Sequence, residues 1–260
     1  MRLDKPKPGT TIAALHGFTG GPLDFASLGR SLGCKFKAPR LFGHGAVTLG
    51  ASNPIEAELN SFWGQLDALI SEVDVVLGYS MGARLAIHRM LSQNIRPRKA
   101  LILVSASAGL AGEPARQARY LQDCDRALRI KQLGVDEFLS DWQNTPLIRT
   151  QQVVKGRQRE EMQAERRRHT ASGLSAAVRC LSPGVLPEYW SDLGRLDLPT
   201  LLIVGADDTK YRRLASRMSK LLPQAEQLVI ASTGHAPHIE APAVTGQGID
   251  SFLTRVIDRP

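Results

Sequence analysis

Short apolar runs alternate with amphipathic segments along most of the chain. Runs of about four to eight apolar residues, bounded by glycine, proline or polar residues, predict buried strands. The predicted strands lie within residues 10–17, 34–45, 73–80, 99–107, 199–208 and 225–236. Apolar residues at helical spacing predict helices between them. The predicted helices cover residues 55–72, 81–94, 211–222 and 245–257.

The alternation of strands and helices predicts an α/β fold with a mostly parallel twisted sheet that has helices on both faces. Between residues 109 and 187 the pattern is only helical, with proline and glycine at its edges. We therefore predict a helical cap (residues 109–187) inserted into a core of residues 1–108 and 188–260. No internal repeat or low-complexity segment interrupts this organisation.

The composition permits a large core and carries a basic excess. The 260 residues are 43% hydrophobic, with 33 basic and 25 acidic side chains and a formal net charge of +8. Much of the basic charge lies in residues 155–169, which interleave acidic residues and contain no aromatic residue. A nucleic-acid surface would combine basic with aromatic stacking residues, so we expect no nucleic-acid partner. The excess fits a small anionic substrate better.

The cysteines and the apolar runs bear on compartment. Cys34, Cys124 and Cys180 are odd in number and widely spaced, so they predict reduced thiols and neither a disulfide framework nor a zinc site. The first ten residues lack the apolar region of a signal peptide. No apolar run reaches the ~18 residues of a membrane span. We expect a cytoplasmic protein without membrane insertion, either a monomer or a small homo-oligomer.

One pentapeptide carries the first chemical prediction. Residues 78–82 read Gly-Tyr-Ser-Met-Gly, directly after an apolar run and directly before a helical one. In this strand–turn–helix context the G-x-S-x-G pattern predicts a tight turn that lifts the Ser80 hydroxyl above the carboxyl edge of the sheet. Side chains two positions away on either side would collide with neighbouring chain, so glycine is required there.

An acid and a base follow in the order expected for such a serine. Asp208 and His235 each lie just after a predicted strand, at the same sheet edge as Ser80. We predict a Ser80–His235–Asp208 triad, in which His235 takes the serine proton and Asp208 orients the imidazole. Asp207 is an alternative acid, and His238 is an alternative base or a substrate contact.

Charge that develops on an oxygen needs two N–H donors beside the serine. Met81, directly after Ser80, provides one backbone candidate. The loop after the first strand, in residues 15–21, provides the other, with Phe18 as the candidate N–H donor. The alternative for this segment is a simple turn at the end of a strand.

These features resemble the α/β-hydrolase superfamily over essentially the whole chain. More specifically, the sequence is similar to the menaquinone-pathway lyases, the 2-succinyl-6-hydroxy-2,4-cyclohexadiene-1-carboxylate synthases. The similar pieces, in order, are HGFTGG, LFGHG, GYSMGARLA, FLSDWQNTPLI, RRRHTASGLSAAVRCLSPG, LIVGADDTKY and GHAPHIEAP. The resemblance implies an α/β-hydrolase fold and an elimination that releases pyruvate from 2-succinyl-5-enolpyruvyl-6-hydroxy-3-cyclohexene-1-carboxylate. It implies neither a metal nor an organic cofactor.

The resemblance also implies substrate contacts for a polycarboxylate. Arg119 and Arg168 match arginines of the family's cap, and Trp142 matches a tryptophan that lines the pocket. Arg166 and Arg167 leave the register around Arg168 open by a residue, and exposed surface arginines are the alternative. Apart from the resemblance, Tyr79 beside the serine and Lys210 after the acid are further candidate contacts, with packing of Tyr79 and solvent exposure of Lys210 as the alternatives. Guanidinium groups bind carboxylates in a bidentate manner, which suits such a substrate.

Three other functions compete with the lyase. A carboxylesterase or C–C bond hydrolase acting on a small anionic substrate would use the same triad and oxyanion donors. A binding protein could retain the fold without catalysis, although such proteins often lack a triad residue. A nucleic-acid binder would rest on net charge alone.

Overall fold

Six parallel strands form one sheet in the computed structural model, which describes residues 9–34, 36–47, 49 and 54–257. The strands are β1 (Ile12–Leu15), β2 (Phe36–Lys37), β3 (Val75–Tyr79), β4 (Ala100–Val104), β5 (Thr200–Gly205) and β6 (Ala225–Ile230). They are ordered β2-β1-β3-β4-β5-β6, and every described pair is parallel. This confirms the predicted fold class.

Nine α-helices connect and cover the strands in the described part of the chain. They are α1 (Ala26–Leu32), α2 (Ile55–Glu72), α3 (Met81–Gln93), α4 (Glu113–Gln143), α5 (Gly156–Arg166), α6 (Ala171–Cys180), α7 (Thr209–Ser219), α8 (Pro237–Glu240) and α9 (Pro242–Ile257). Three short 3₁₀ helices, Pro22–Phe25, Arg149–Val153 and Leu193–Arg195, complete the helical elements.

The central strands are apolar on both faces because helices cover both. Side chains alternate across a strand. On β1, Ala13 and Leu15 join the cluster that includes α2, α3 and α7, whereas Ile12 and Ala14 join the cluster formed with α1 and α9. All four of these side chains are buried. Such continuous apolar runs are the expected sequence of a doubly covered parallel sheet.

The strand order places a crevice where the site residues lie. The chain leaves β1 toward β2 on one side and later enters β3 on the other side of β1. The carboxyl ends of β1 and β3 therefore lie at the point where the winding direction reverses. Ligands of open α/β sheets bind at such a point.

The helices between β4 and β5 form two groups. Helices α4 and α6 pack on each other through a third apolar cluster, in which Phe138 and Leu139 meet Leu174 and Val178. Met162 of α5 instead joins the sheet-side cluster that contains Phe25. Helix α4 bends sharply at Gly134, where φ is +77° and ψ is 175°, so its two halves form a helical hairpin.

Several predicted boundaries differ from the structure. The last strand ends at Ile230 rather than near residue 236, because residues 231–236 form the turn that presents His235. Helix α9 begins three residues before its predicted start, at Pro242. The signal-peptide prediction concerns residues 1–10, of which residues 1–8 lie outside the described residues. In the described residues, none of the helices combines the length and apolarity that a bilayer span requires.

Candidate active site

Ser80 lies on a sharp turn between β3 and α3. Its backbone has φ of +50° and ψ of −104°, a conformation that a residue with a side chain rarely adopts. A Cβ on Gly78 would lie 2.5 Å from Ala83 Cα, and one on Gly82 would lie 2.1 Å from the Leu15 carbonyl oxygen. Both contacts are with backbone, which explains why the sequence has glycine at each position.

The structure brings Ser80, His235 and Asp208 into one hydrogen-bonded chain. His235 Nε2 lies 2.9 Å from Ser80 Oγ, and His235 Nδ1 lies 2.7 Å from Asp208 Oδ2. Since a carboxylate only accepts, Nδ1 carries the proton and the unprotonated Nε2 accepts from the serine hydroxyl. This is the arrangement in which a histidine can take a proton from a serine.

Neighbouring contacts hold the acid and the base in place. The other oxygen of Asp208 accepts the Tyr211 N–H at 3.1 Å, so the same carboxylate caps α7. The backbone carbonyl of His235 accepts the Ser105 hydroxyl at 2.7 Å. The His235 ring, 4.4 Å from the Tyr211 ring by centroids, is buried. His235 is therefore held by its backbone carbonyl, by the Asp208 hydrogen bond to its ring and by packing of the ring against Tyr211.

The structure does not place the two alternative triad residues in these positions. Asp207 is exposed, and it is Asp208 whose carboxylate meets His235. His238 is fully buried between Phe25, at 5.4 Å, and Tyr79, at 4.4 Å. Neither of its ring nitrogens has a hydrogen-bond partner within the described residues. Burial lowers the pKa of His238 to about 3.

The two residues predicted to supply backbone N–H donors, Phe18 and Met81, lie at the cavity that contains the serine. Met81 is the first residue of α3, where N–H groups lack intrahelical acceptors and the helix dipole favours negative charge. Gly82 N–H is engaged with the His16 carbonyl at 3.1 Å, so it is not a third donor.

A cavity of about 210 Å³ opens above the serine, between the sheet edge and the inserted helices. Its apolar wall includes Phe18 and Trp142, whose rings meet edge to face at 5.5 Å. Its charged wall contains four cationic side chains and one carboxylate. These are Arg84, Arg119, Arg126, Lys210 and Asp123.

Asp123 organises two of these cations. Its carboxylate is fully buried and accepts from Arg119 Nε at 2.9 Å, from Ser182 Oγ at 2.8 Å and from the Arg126 guanidinium. Two arginines thus share one carboxylate, which leaves the pair with a net positive charge. A polycarboxylate can bind to that charge because guanidinium groups retain further N–H donors.

Arg84 adds a buried cation one helical turn after Ser80. It donates to the Leu181 carbonyl at 2.9 Å, and its Nε has no acceptor within the described residues. Burial lowers the pKa of Arg84 to about 10, so the group still carries its charge at neutral pH. Because a buried donor without an acceptor is unfavourable, an anionic ligand that accepts from Arg84 Nε would relieve that cost.

Of the predicted substrate contacts, Tyr79, Arg119, Trp142 and Lys210 line the cavity. Arg168 does not. Its side chain is 60% exposed and lies 4.0 Å from Glu165, away from the cavity lining. The buried arginine of this segment is Arg166, which donates to Gln151 Oε1 at 2.6 Å. A shift of one residue does not restore the predicted contact, because Arg167 is exposed as well and neither Arg166 nor Arg167 lines the cavity.

The cavity residues absent from the predicted site include Arg84, Asp123, Arg126 and Tyr211. Spacing could have suggested all four of these. Arg84 is four residues after Ser80, Arg126 is seven after Arg119, and Tyr211 is three after Asp208, all spacings that place side chains on one helix face. Asp123 follows Arg119 by four residues on the same face. No group of three or more possible metal ligands occurs among the described residues.

Comparisons with known proteins agree with this geometry. The model of the alpha/beta hydrolase family matches residues 12–246. A Bacillus subtilis protein, provisionally named a 2-succinyl-6-hydroxy-2,4-cyclohexadiene-1-carboxylate synthase, is 29% identical over 96% of this chain and 93% of its own. The Salmonella typhimurium enzyme of that name is 29% identical over 96% and 95% of the two chains.

A solved structure of MenH from S. aureus superposes with a TM-score of 0.85, at 25% identity, over 97% of both chains. The superposition thus spans the inserted helices as well as the sheet. With a family model matched from β1 into α9, this chain belongs to the alpha/beta hydrolase family.

Proposed function

We propose that the protein is a carbon–oxygen lyase of menaquinone biosynthesis. It eliminates pyruvate from 2-succinyl-5-enolpyruvyl-6-hydroxy-3-cyclohexene-1-carboxylate and forms 2-succinyl-6-hydroxy-2,4-cyclohexadiene-1-carboxylate. The observation that carries the proposal is the placement of four cationic side chains around a Ser–His–Asp triad, with one carboxylate among them. A substrate with three carboxylates matches that charge. The names of the similar Bacillus and Salmonella proteins support the same reaction.

The hydrogen-bonded triad acts as the base. Ser80 Oγ, whose proton passes to His235 Nε2, removes a proton from the substrate ring. Asp208 stabilises the imidazolium that results. The electron pair of the broken C–H bond moves into the adjacent succinyl ketone and makes an enolate oxygen. The Phe18 and Met81 N–H groups stabilise that oxygen, because both residues line the cavity that contains Ser80.

The second step forms the ring diene. The enolate electrons return to form the double bond between ring carbons 2 and 3. The existing double bond between carbons 3 and 4 shifts to carbons 4 and 5, and the carbon–oxygen bond from carbon 5 to the enolpyruvyl group breaks. The departing enolate of pyruvate takes up the proton held by the triad, so the enzyme regains its initial state. The reaction needs no water and no acyl-enzyme.

The charged wall orients the substrate. Arg84, Arg119, Arg126 and Lys210 neutralise the carboxylates, while Trp142 and Tyr79 pack against the ring and its substituents. Three unpaired cysteines, at positions 34, 124 and 180, support a reducing compartment, and we place the reaction in the cytoplasm.

The test is an assay of the purified protein with the enolpyruvyl substrate. Pyruvate is followed through NADH oxidation by lactate dehydrogenase, and the conjugated diene is followed by its ultraviolet absorbance. We expect both products to appear at equal rates. An absence of pyruvate with the wild-type protein would contradict the proposal.

A hydrolase acting on a small anionic ester is the second candidate, because the same triad and oxyanion donors suit acyl transfer. The two reactions differ in the covalent intermediate. Intact-protein mass spectrometry during turnover detects an acyl adduct on Ser80 only in the hydrolase. We expect an unmodified mass with the enolpyruvyl substrate.

A further inference from the structure

Three buried histidines surround the loop that carries Phe18. His16 directly follows β1, His44 lies in the loop after β2, and His169 lies between α5 and α6. The His16 and His44 rings are 4.8 Å apart by centroids, and those of His44 and His169 are 5.3 Å apart. None of the three rings belongs to the triad, so the proposed reaction leaves them without a role.

His16 holds the peptide group that contains the Phe18 N–H. His16 Nδ1 lies 2.8 Å from the Gly17 carbonyl oxygen, which also accepts Gly20 N–H at 3.1 Å. The Gly17 carbonyl and the Phe18 N–H belong to one planar trans peptide, so they point in opposite directions. Fixing the carbonyl therefore fixes the direction of the N–H. The Phe18 N–H itself has no acceptor within the described residues.

His44 and His169 hold the next two peptide groups. The Thr19 N–H donates to His44 Nε2 at 3.2 Å, and the Thr19 carbonyl lies 3.0 Å from His169 Nε2. Thr19 has φ of +64°, a left-handed conformation that is strained for a branched side chain. Two hydrogen bonds from opposite sides thus stabilise a backbone conformation that the residue would not adopt alone.

Each ring uses its second nitrogen to reach a fixed backbone group. His16 Nε2 accepts Leu41 N–H at 3.0 Å, His44 Nδ1 donates to the Phe42 carbonyl at 2.9 Å, and His169 Nδ1 accepts Gly45 N–H at 2.9 Å. A backbone N–H only donates and a carbonyl only accepts, so the tautomers are determined. His16 and His44 carry the proton on Nδ1, and His169 carries it on Nε2.

All three rings must be neutral to make these contacts, because a second ring proton would face a backbone N–H. The charged groups around the rings are Arg40, Arg166 and Glu165, and Glu165 is paired with Arg40. Burial is the largest cause that lowers the pKa of His16, to about 3, and it also lowers the pKa of His44 and of His169. The surroundings therefore favour the neutral form.

We propose that His16, His44 and His169 form a histidine brace that positions three successive peptide groups so that the Phe18 N–H points at the reacting oxygen. They are positioning residues, since they act through the loop and touch no substrate. The inference rests on the proposed function only in that the reaction develops charge on an oxygen. Because His169 comes from the cap (residues 109–187), the brace also makes the donor geometry depend on how the cap is docked.

Matched asparagine and glutamine variants test the brace. In His44→Gln the side-chain amide reaches the former Nε2 position and can accept from Thr19, whereas the shorter side chain of His44→Asn reaches only the Nδ1 position. The same logic applies to His169→Gln and His169→Asn. His88→Asn is a control, because His88 contacts Tyr189 and lies outside the cavity lining.

Loss of one oxyanion donor costs about 10²–10³-fold in kcat, so a misaimed donor is expected to cost about tenfold to a hundredfold. We expect that loss in kcat for both asparagine variants, with KM within about threefold, and recovery of most of it in the glutamine variants. Equal activity of the asparagine and glutamine variants at both positions would overturn the brace.

A second readout needs no variant. Two-bond ¹H–¹⁵N correlation spectra of the histidine rings report the tautomers, and we expect Nδ1–H for His16 and His44 and Nε2–H for His169 at neutral pH. A charged ring, or the other tautomer, at any of the three would also overturn the brace.

The controls separate this inference from the proposed reaction. If Ser80→Ala is inactive while the asparagine variants match the wild type, the brace fails and the lyase proposal stands. If the wild type turns over an anionic ester and releases no pyruvate, the kcat comparison is made with the ester. The lyase proposal then fails, and the same pattern of variants still supports the brace.

Discussion

The triad and the charged wall of the cavity are held in different ways. The triad residues stand at the ends of strands, and backbone hydrogen bonds fix their positions. The wall residues Arg119, Asp123 and Arg126 all lie on α4, where side-chain ion pairs arrange them. The proposed reaction chemistry thus lies at the edge of the sheet, whereas α4 provides three of the five charged wall residues, and Arg84 and Lys210 come from α3 and α7. We therefore expect substitutions at the triad and substitutions in the charged wall to change different kinetic constants.

The largest effect is expected at Ser80, which belongs to the proposed base. Ser80→Ala removes the group that meets both substrate and His235, so kcat should fall by about 10⁴-fold or more, as for other triads. Asp208→Asn should also cost about 10⁴-fold, because the amide favours the wrong histidine tautomer. Pyruvate release measures the loss.

Asp207→Asn is the matched control for the acid, since Asp207 is exposed and does not meet His235. We expect it to stay within about twofold of the wild type. If Asp207→Asn were as damaging as Asp208→Asn, the assignment of the acid would be wrong.

A smaller effect, with a different signature, is expected in the charged wall. Arg126→Gln removes one charge-assisted contact, worth about 1.5–3 kcal/mol, so kcat/KM should fall about tenfold to a hundredfold. We expect KM to carry most of the change, because a contact with a spectator carboxylate is made in both ground state and transition state. Initial rates over a range of substrate concentration separate the two constants.

Arg168→Gln tests the corrected register. Its side chain is largely exposed and outside the cavity lining, so we expect kinetics within about twofold of the wild type. A tenfold rise in KM for Arg168→Gln, with none for Arg126→Gln, would reverse the assignment.

Acid should weaken the fold through buried histidines. The pKa of His16 and of His238 is about 3 in the folded protein and 6.5 in the unfolded chain. As pH falls, these two histidines therefore bind protons in the unfolded chain before they do so in the folded protein. Stability is therefore complete above about pH 6.5 and falls as pH drops toward 3. Each group contributes a slope of about 1.4 kcal/mol per pH unit within that window.

Asp24 works in the opposite direction. Burial raises its pKa to about 6, so its contribution to stability increases as pH falls from 6 toward 3.8. Urea unfolding at pH 7.5 and pH 5 measures the net effect, and we expect lower stability at pH 5. Equal stability at both values would show that the histidines are not buried as neutral groups.

The smallest effect is expected at His238. Neither ring nitrogen has a partner within the described residues, so an apolar side chain of similar volume loses no hydrogen bond there. His238→Leu should leave stability at pH 7.5 within about 1 kcal/mol of the wild type, or raise it. The variant should also reduce the slope of stability against pH by the contribution of one bound proton. Urea unfolding of this variant at both pH values checks the two expectations.

The difference between the triad and the charged wall also explains which site residues could be predicted from the sequence. A strand that ends in a glycine-flanked serine, or in an acid or a histidine, places its side chain at a known edge, so Ser80, Asp208 and His235 were predicted to lie together. A cap residue depends on helix rotation and on the turn before α6, which local patterns do not specify. Arg168 was therefore predicted to contact the substrate although it does not line the cavity, and Arg126 was missed although it lies on the same face as Arg119.

Contacts between segments far apart in sequence were the least predictable. No sequence pattern assigned a role to His16, His44 or His169, since their partners include backbone groups of other segments. The hydrogen bond from Ser182 to Asp123 gives no local pattern either, because 59 residues separate the two. Polar groups that act through backbone contacts become visible only in three dimensions.

The bend at Gly134 has a consequence for how such a pocket can diversify. A Cβ at Gly134 would meet no described atom within 4 Å, so there is open space beside the bend. Arg126 and Trp142 lie on the two arms below that tip, with the guanidinium 5.4 Å from the ring centroid. Residues added or removed at the tip would change the length of the arms without disturbing the sheet. The size of the accepted molecule could therefore be tuned independently of the reaction chemistry.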